Sequence, residues 1–236
     1  MDLSNAISAV VPTLDGPVLR ALAGTTTPLT GRQVHQLGGV GSEVGVRKVL
    51  ARLVVSGLVH RSQAGASGLY VLNRDHLAAN AVAELAQLRS ALWERLREQV
   101  ASWRPAAVHI AVYGSAARGN GNVESDIDLL VIRPDSVSAD EESWEDQLAA
   151  LRDRVYLWTG NHAHILETDP SRLRAAIATG EPIITEWAQD AITVFGPQTR
   201  TVLRGHGWHA PTTTALNTAP APKQAPTLLT RKPSSR

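Results

Sequence analysis

The spacing of apolar residues divides the first third of the chain into short helices followed by a hairpin. From Glu43 to Ser56, apolar residues recur at spacings of three and four, which predicts an amphipathic helix. Ser42 precedes this segment as a helix cap and Gly57 ends it. The other predicted elements are helices at Leu14–Leu22 and Gly31–Leu37 and strands at Leu58–Arg61 and Gly68–Leu72.

A longer apolar stripe follows, and beyond it strands and helices alternate. Residues 75–104 contain no Gly and no Pro before position 105, so we expect one connecting helix there, which could also form a homodimer seam. The alternation after it predicts a small mixed sheet with helices. The predicted strands are Ala107–Val112, Ile127–Ile132, His162–Glu167 and Ile192–Gly196, and the predicted helices are Trp144–Trp158, Ser171–Ala178 and one that starts at Glu181.

Polar residues interrupt the first two of these strands at specific positions. Gly114 and Ser115 end the first apolar run, where a small residue lets a backbone approach a phosphate closely. Asp126 and Asp128 stand two residues apart at the start of the second run, so both carboxylates point to one face of the strand. Two carboxylates held this close repel each other unless a cation lies between them. Mg²⁺ bound by two carboxylates and substrate phosphates would satisfy this pair.

The complete string is more specific than either motif alone. Gly114-Ser115, then Arg118-Gly119, then Ser125-Asp126-Ile127-Asp128 resembles the polymerase-β-like nucleotidyltransferase superfamily in its minimal branch, over roughly residues 106–196. The resemblance implies transfer of a nucleoside monophosphate from an NTP to an acceptor, with Mg²⁺ (or Mn²⁺) as cofactor and pyrophosphate as the second product. Metal ions in such reactions bridge phosphate oxygens and neutralise developing charge.

The resemblance also implies roles for individual residues. Asp126 and Asp128 would be the metal ligands, and Gly114 and Ser115 would hold the terminal phosphates of the NTP. Arg118 could donate paired N–H groups to a phosphate.

Members of that superfamily usually carry a third carboxylate on a neighbouring strand, and here its position is open. In the most natural register it falls on His164, while a shifted strand would bring Glu167 into the role. An imidazole is a poor ligand for Mg²⁺, which prefers oxygen, but it could act as a general base near pH 7. A third alternative is that neither residue completes the site.

The N-terminal elements resemble a winged helix-turn-helix domain over about residues 14–73. The apolar helix that ends in Gly57-Leu58-Val59 carries this likeness. If the domain binds DNA, the Glu43–Ser56 helix would enter the major groove, and the hairpin with Arg61 would contact the backbone or the minor groove. The candidate nucleic-acid-binding residues are Arg47, Lys48, Arg52 and Arg61. Seven basic and four acidic residues in the first 76 give only +3, so a purely structural module is the alternative.

The composition of the chain bears on its possible chemistry, its location and the order of its C-terminal end. The chain of 236 residues has no Cys, which excludes disulfides and thiolate chemistry. No basic leader and no apolar run of membrane-spanning length is visible, so we expect a cytoplasmic protein without membrane contact. Beyond residue 208 the chain is rich in Pro, Thr and Ala and ends with basic residues, which predicts a disordered tail.

The predicted arrangement is α+β: a winged helix-turn-helix domain at 1–74, a connecting helix at 75–104, a nucleotidyltransferase domain at 105–197 and the tail at 209–236. The leading hypothesis is a metal-dependent nucleotidyltransferase whose acceptor is a protein, an RNA or a small molecule. The alternative is a DNA-binding transcriptional regulator whose nucleotidyltransferase domain senses a nucleotide without turnover. A toxin or antitoxin role, which minimal nucleotidyltransferases resembling this one often serve, is a third hypothesis.

Overall fold

A computed structural model of the chain describes residues 1–205, so the tail predicted at 209–236 lies outside the described residues. Helices and two small sheets make up this part of the chain. The helices are α1 (Asp15–Ala23), α2 (Gly31–Gly38), α3 (Glu43–Val55), α4 (Ala79–Ala86), α5 (Leu88–Ala101), α6 (Gly114–Arg118), α7 (Glu142–Thr159), α8 (Pro170–Thr179), α9 (Pro182–Asp190) and α10 (Thr199–Leu203). The strands are β1 (Leu29–Thr30), β2 (Val59–Ala64), β3 (Ser67–Leu72), β4 (His109–Tyr113), β5 (Ile127–Ile132), β6 (Ala163–Thr168) and β7 (Ile192–Phe195). Across these helices, none has both the length and the apolar character that a membrane crossing requires.

The N-terminal unit packs three helices against a three-stranded antiparallel sheet of order β1-β3-β2. Thr30 caps α2 in a reciprocal arrangement with Gln33, and the Ser42 hydroxyl accepts the N–H of Gly45 at the start of α3. The apolar faces of α1 and α3 meet in a core that contains Leu22 and Leu50. The sequence therefore placed these helices and their starts correctly, while the identification as a winged helix-turn-helix stays a prediction.

The segment 75–104 differs from the single connecting helix that the apolar stripe predicts. It forms α4 and α5, which are separate helices on either side of Gln87. Val82 of α4 belongs to the N-terminal core, whereas Leu92 and Leu96 of α5 belong to the core of the second sheet. Leu77, part of the predicted stripe, is fully exposed. The segment divides because its two halves bury their apolar faces in two different cores.

The second sheet has the order β6-β5-β4-β7 and is mixed, as the sequence predicts. Strand β4 is antiparallel to both β5 and β7, while β5 and β6 are parallel. Helices α5 and α7 cover one face of the sheet, with Trp144 and Leu151 fully buried between them and the strands. Helices α8, α9 and α10 cover the other face through Leu173, Trp187 and Val202.

The N-terminal unit is attached to the second unit at two places. One is the covalent passage from α4 to α5 at Gln87. The other lies near the start of the chain, where Leu3 is buried in the core of the second sheet. There the Ser4 N–H donates to the Gly121 carbonyl at 3.2 Å.

Candidate active site

Three polar side chains form a row across adjacent strands at one end of the mixed sheet. Tyr113 of β4 pairs with Asp128 of β5, and Asp128 pairs in turn with His164 of β6. Directly paired residues on neighbouring strands project from the same face, so the three side chains point the same way. His164 thus occupies the position that the natural register predicts for a third ligand.

Asp128 is the centre of this row. Its carboxylate is about a quarter exposed, and its Oδ1 lies 3.4 Å from Nδ1 of His164, which is 65% exposed. Burial raises the pKa of Asp128 above its usual value, and the charge of Asp126 acts in the same direction. The hydrogen bond and charge of His164 act against this rise. Asp126 itself is exposed at the start of the strand.

The turn after β4 approaches Asp128 so closely that it requires glycine. Gly114 has φ +67°, in the left-handed region, and a Cβ there would lie 2.4 Å from Oδ2 of Asp128. No larger residue fits without displacing the carboxylate. The Gly-Ser motif and the Asp-x-Asp motif, ten residues apart in sequence, are therefore in direct contact.

Ser115 follows this glycine at the start of α6, a single helical turn. Its carbonyl accepts the N–H groups of Gly119 at 3.0 Å and Asn120 at 3.1 Å, which closes the turn. At the other end of α6, Nη2 of Arg89 donates to the carbonyls of Ala116 at 3.0 Å and Ala117 at 2.6 Å. Arg89 in α5 therefore fixes the orientation of the turn from outside the sheet.

Arg118 lies at the end of α6 and forms an ion pair with an acidic residue that the sequence analysis did not identify. Its Nη1 donates to Oδ2 of Asp190, at the end of α9, at 3.1 Å. Burial raises the pKa of Tyr113 to about 12, and the charges of Asp128 and of Glu186, one turn earlier in α9, act in the same direction. Sequence reasoning missed these acids because α9 follows the motif by some 60 residues and carries no motif of its own.

Glu167, one of the two candidates for the third ligand, lies outside the site. It pairs with Val131, so it projects from the face opposite to Asp128. Its Oε1 accepts the Nε–H of Arg133 at 2.8 Å and the indole N–H of Trp144 at 2.9 Å. The side chain of Arg133 is only 10% exposed and needs this partner. Glu167 is part of a structural ion pair.

The carboxylates of the site fit a divalent cation only if a substrate supplies further oxygen ligands. Within residues 1–205 no group of three or more His, Asp or Glu side chains is arranged to hold a metal ion. Asp126 and Asp128 supply carboxylate oxygens, the ligands that Mg²⁺ and Mn²⁺ prefer. Mg²⁺ is commonly held by one or two carboxylates plus substrate phosphates. The close approach of Gly114 to Asp128 places the turn after β4 beside such a carboxylate.

The basic residues of the N-terminal unit divide into two groups. Arg47 and Arg61 line a groove of about 490 Å³ with Tyr70 and with Arg32, which the sequence did not single out. Arg47 also lies 3.5 Å from Glu43, one turn earlier in α3. Arg52 forms an ion pair with Asp15 of α1, and its side chain is 60% exposed. Lys48 is exposed on α3 and lies outside the groove.

Comparison with known proteins agrees with this geometry. Residues 90–175 match the family model of the nucleotidyltransferase domain, a span that begins in α5 and ends in α8 and contains the whole row of site residues. This match supports a nucleotidyltransferase enzyme. No curated protein matches the chain. A solved structure described as "Crystal structure of the toxin-antitoxin with AMP-PNP" is similar at 16% identity and a TM-score of 0.33, covering 47% of this chain and 78% of that one.

Proposed function

We propose that the chain transfers a nucleoside monophosphate from an NTP to an acceptor at the row formed by Tyr113, Asp128 and His164. One observation carries this proposal: the Asp128 carboxylate lies against Gly114, where a Cβ would be 2.4 Å from Oδ2. A turn suited to phosphate and a carboxylate suited to a metal ion are thereby brought to a single point. Phosphoryl-transfer sites need these two elements together, because positioning and charge neutralisation supply most of their catalysis.

In the proposed reaction, an acceptor oxygen attacks the α-phosphorus of the NTP. The bond from this phosphorus to the oxygen that bridges to the β-phosphate breaks, and pyrophosphate leaves with the electron pair. Asp126 and Asp128 would hold a divalent ion, Mg²⁺ or Mn²⁺, which when bound neutralises phosphate charge. Gly114 and Ser115 would hold the β- and γ-phosphates.

His164 would take the proton from the acceptor. It lies beside Asp128, 3.4 Å from Oδ1, and its 65% exposure leaves it open to an acceptor that approaches from solvent. A neutral imidazole has the right basicity for this step near pH 7. Arg118 would contact a phosphate by sharing or exchanging its bond to Asp190, since that bond uses one of the five N–H donors of its guanidinium group. The acceptor is a protein hydroxyl, an RNA 3′ end or a small molecule, which the experiment below separates.

The test is Mg²⁺-dependent transfer of label from each α-labelled NTP to the protein itself, to bulk tRNA and to a cell extract. We expect wild type to label one acceptor class, and Asp126→Asn/Asp128→Asn to lose the label. Glu167→Gln is the matched control, because it removes a carboxylate on the same strand pair but on the opposite face. Equal labelling by wild type and the double variant, or loss of labelling in Glu167→Gln with retained folding, would disprove the proposed site.

A second candidate function, contact with nucleic acid, is favoured by the groove of the N-terminal unit. Arg32, Arg47 and Arg61 converge there from α2, α3 and β2 around Tyr70. Three guanidinium groups around one aromatic ring form a surface suited to a phosphate backbone. The groove supports the predicted winged helix-turn-helix, with α3 as the helix that approaches DNA.

DNA binding at several salt concentrations tests this function. We expect affinity for duplex DNA to fall steeply with salt, and Arg47→Ala/Arg61→Ala to reduce the slope by about two. Arg97→Ala on α5 is a control that removes an exposed arginine outside the groove. A slope that is unchanged in the double variant would exclude the groove as the DNA contact.

A further inference from the structure

A cavity lies between the two units, away from the row of Asp128 and His164. It measures about 510 Å³, within the usual range for a small-molecule site. Its walls come from the start of the chain, α1, α4 and α5, and include Leu3, Ile7, Arg20, Ala86 and Arg89. Most of its surface is apolar, and its polar lining side chains are Ser4, Arg20, Thr25, Gln87, Arg89 and Ser90.

The cavity carries two positive charges and no negative one. Arg20 and Arg89 line it, and no Asp or Glu is among its lining residues. Within residues 1–205 neither arginine takes part in an ion pair, and the nearby Asp2 accepts from Ser4 and Asn5. Arginine stays protonated at physiological pH, so the charges are permanent. Two guanidinium groups beside an apolar cavity produce a positive potential inside it.

Each arginine also has hydrogen-bonding capacity that the protein does not use. Arg20 donates through Nη2 to the Leu37 and Gly38 carbonyls, and Arg89 donates through Nη2 to the carbonyls of α6. In the described part of the chain the Nε–H groups of both are buried without an acceptor. A buried donor of a charged group without an acceptor is costly and calls for a further partner. Burial accordingly lowers the pKa of Arg89 from its usual value.

We propose that this cavity binds a small organic phosphate, with the phosphate at Arg20 and Arg89 and an apolar body against Leu3, Ile7 and the alanines of α1 and α4. An anion is indicated by the two guanidinium groups, which have no acidic partner within residues 1–205, and phosphate oxygens accept readily from arginine N–H groups. An apolar body is indicated by the remaining walls. The site is distinct from the NTP site, but Arg89 also holds α6, so its ligand would act on the turn that carries Ser115.

Binding of phenyl phosphate and of inorganic phosphate to the full chain tests the proposal, by titration calorimetry in EDTA at fixed ionic strength. We expect phenyl phosphate to bind about tenfold more tightly than inorganic phosphate, because only it places an apolar group on the walls. Equal affinities would overturn the organic part of the proposal. Binding that is lost in Ser115→Ala but retained in Arg20→Gln would place the ligand at the NTP site and overturn the proposal entirely.

Two substitutions at one position of α4 test whether the charge of the cavity attracts the ligand. Ala86→Glu places a carboxylate in the cavity, which would satisfy the arginines internally, while Ala86→Gln adds nearly the same volume without charge. We expect Ala86→Glu to weaken phenyl phosphate binding about tenfold relative to Ala86→Gln and to raise the melting temperature above that of Ala86→Gln. Arg20→Gln should weaken binding to the same degree. Equal affinities in the two Ala86 variants would overturn the proposal.

Discussion

Asp128 and His164 face each other across two parallel strands, with 3.4 Å between Oδ1 and Nδ1. A carboxylate that could bind metal and an imidazole that could take a proton are thus adjacent, and the imidazole affects the pKa of the carboxylate. His164 lowers the pKa of Asp128 while burial and Asp126 raise it. The two residues have to be treated as one unit, since a change in either affects metal binding as well as proton transfer.

Replacement of His164 by Gln should lower kcat for nucleotide transfer by about 100-fold or more, because a neutral amide cannot accept the proton of the acceptor. Steady-state kinetics with a saturating NTP measure this. His162→Gln is the matched control, since His162 lies two residues earlier, is exposed and stacks on Tyr156 at 5.0 Å. Equal kcat values in both variants would exclude His164 as the base.

The pH profile of metal binding by the same variant should shift at its acidic limb. Metal ligands must be deprotonated, so Mn²⁺ binding should weaken as pH decreases through the raised pKa of Asp128. Removal of His164 removes an interaction that lowers this pKa, so the limb of His164→Gln should lie at higher pH than that of wild type. Identical acidic limbs in Mn²⁺ affinity against pH would contradict the coupling.

Gly114→Ala should abolish transfer, with a loss of about 100-fold or more, since the new Cβ would displace the Asp128 carboxylate. Positive φ alone costs about 1–2 kcal/mol for a residue with a Cβ. Gly160→Ala separates the two effects, because Gly160 has φ +74° and no atom within 4 Å of a Cβ. We expect chemical unfolding to show destabilisation in both variants and transfer assays to show loss only in Gly114→Ala. Equal activity in both would show that the contact does not matter.

Glu167→Gln should leave nucleotide transfer unchanged and lower the free energy of unfolding by about 1–3 kcal/mol, because it removes the nearer of the two carboxylates that pair with the buried Arg133 and leaves only Asp169 at 3.7 Å. Trp144→Phe removes the other donor to Oε1 and should also destabilise without loss of transfer. Urea unfolding followed by tryptophan fluorescence measures the stability of each. Transfer that fails in Glu167→Gln while the protein stays folded would restore Glu167 as a site residue.

Acid should destabilise the protein through His109, which lies in β4 with Nε2 at 3.2 Å from Oγ1 of Thr199. Burial lowers the pKa of His109 from 6.5 to about 4, against the opposing effect of the Pro197 and Phe195 carbonyls. Between these values the unfolded chain binds a proton that the folded chain excludes. The contribution of His109 is therefore complete above pH 6.5 and is lost on acidification to pH 4, by up to roughly 3 kcal/mol.

His109→Gln tests this contribution, since glutamine can bond to Thr199 and does not titrate. The difference in unfolding free energy between wild type and this variant should shrink as pH falls from 6.5 to 4. A difference that stays constant over this range would exclude His109 as the source. The carboxylates contribute the same pH dependence of unfolding free energy to both proteins, so this contribution cancels in the difference.

Local signals in the sequence predicted the helices α2 and α3, their caps and the mixed sheet. Thr30 and Ser42 indicate helix starts because their hydroxyls bond within three residues, which is a property of the local chain. The pairing of Asp128 with Tyr113 and His164 places Asp128 on one face of β5, whereas Asp126 precedes the strand. Alternation in a strand explains why Glu167 could not be assigned: a shift of one residue moves it across the sheet, and only the pairing with Val131 decides.

Contacts between residues far apart along the chain could not be predicted from the sequence. Asp190 meets Arg118 only because α9 folds back over the sheet, and nothing near Asp190 in sequence indicates this. The division at Gln87 was missed for a similar reason, since an apolar stripe shows that a helix buries one side but not in which core. The groove that includes Arg32 likewise depends on how α2 packs beside α3.

The double attachment of the N-terminal unit has a mechanical consequence. A domain tethered by one linker can swing in every direction, but this one is fixed both at Leu3 and at the junction of α4 with α5. Two attachments restrict rotation of the N-terminal unit relative to the mixed sheet more than a single linker would. A partner bound to the N-terminal unit would therefore be held at a defined position relative to the row of Tyr113, Asp128 and His164.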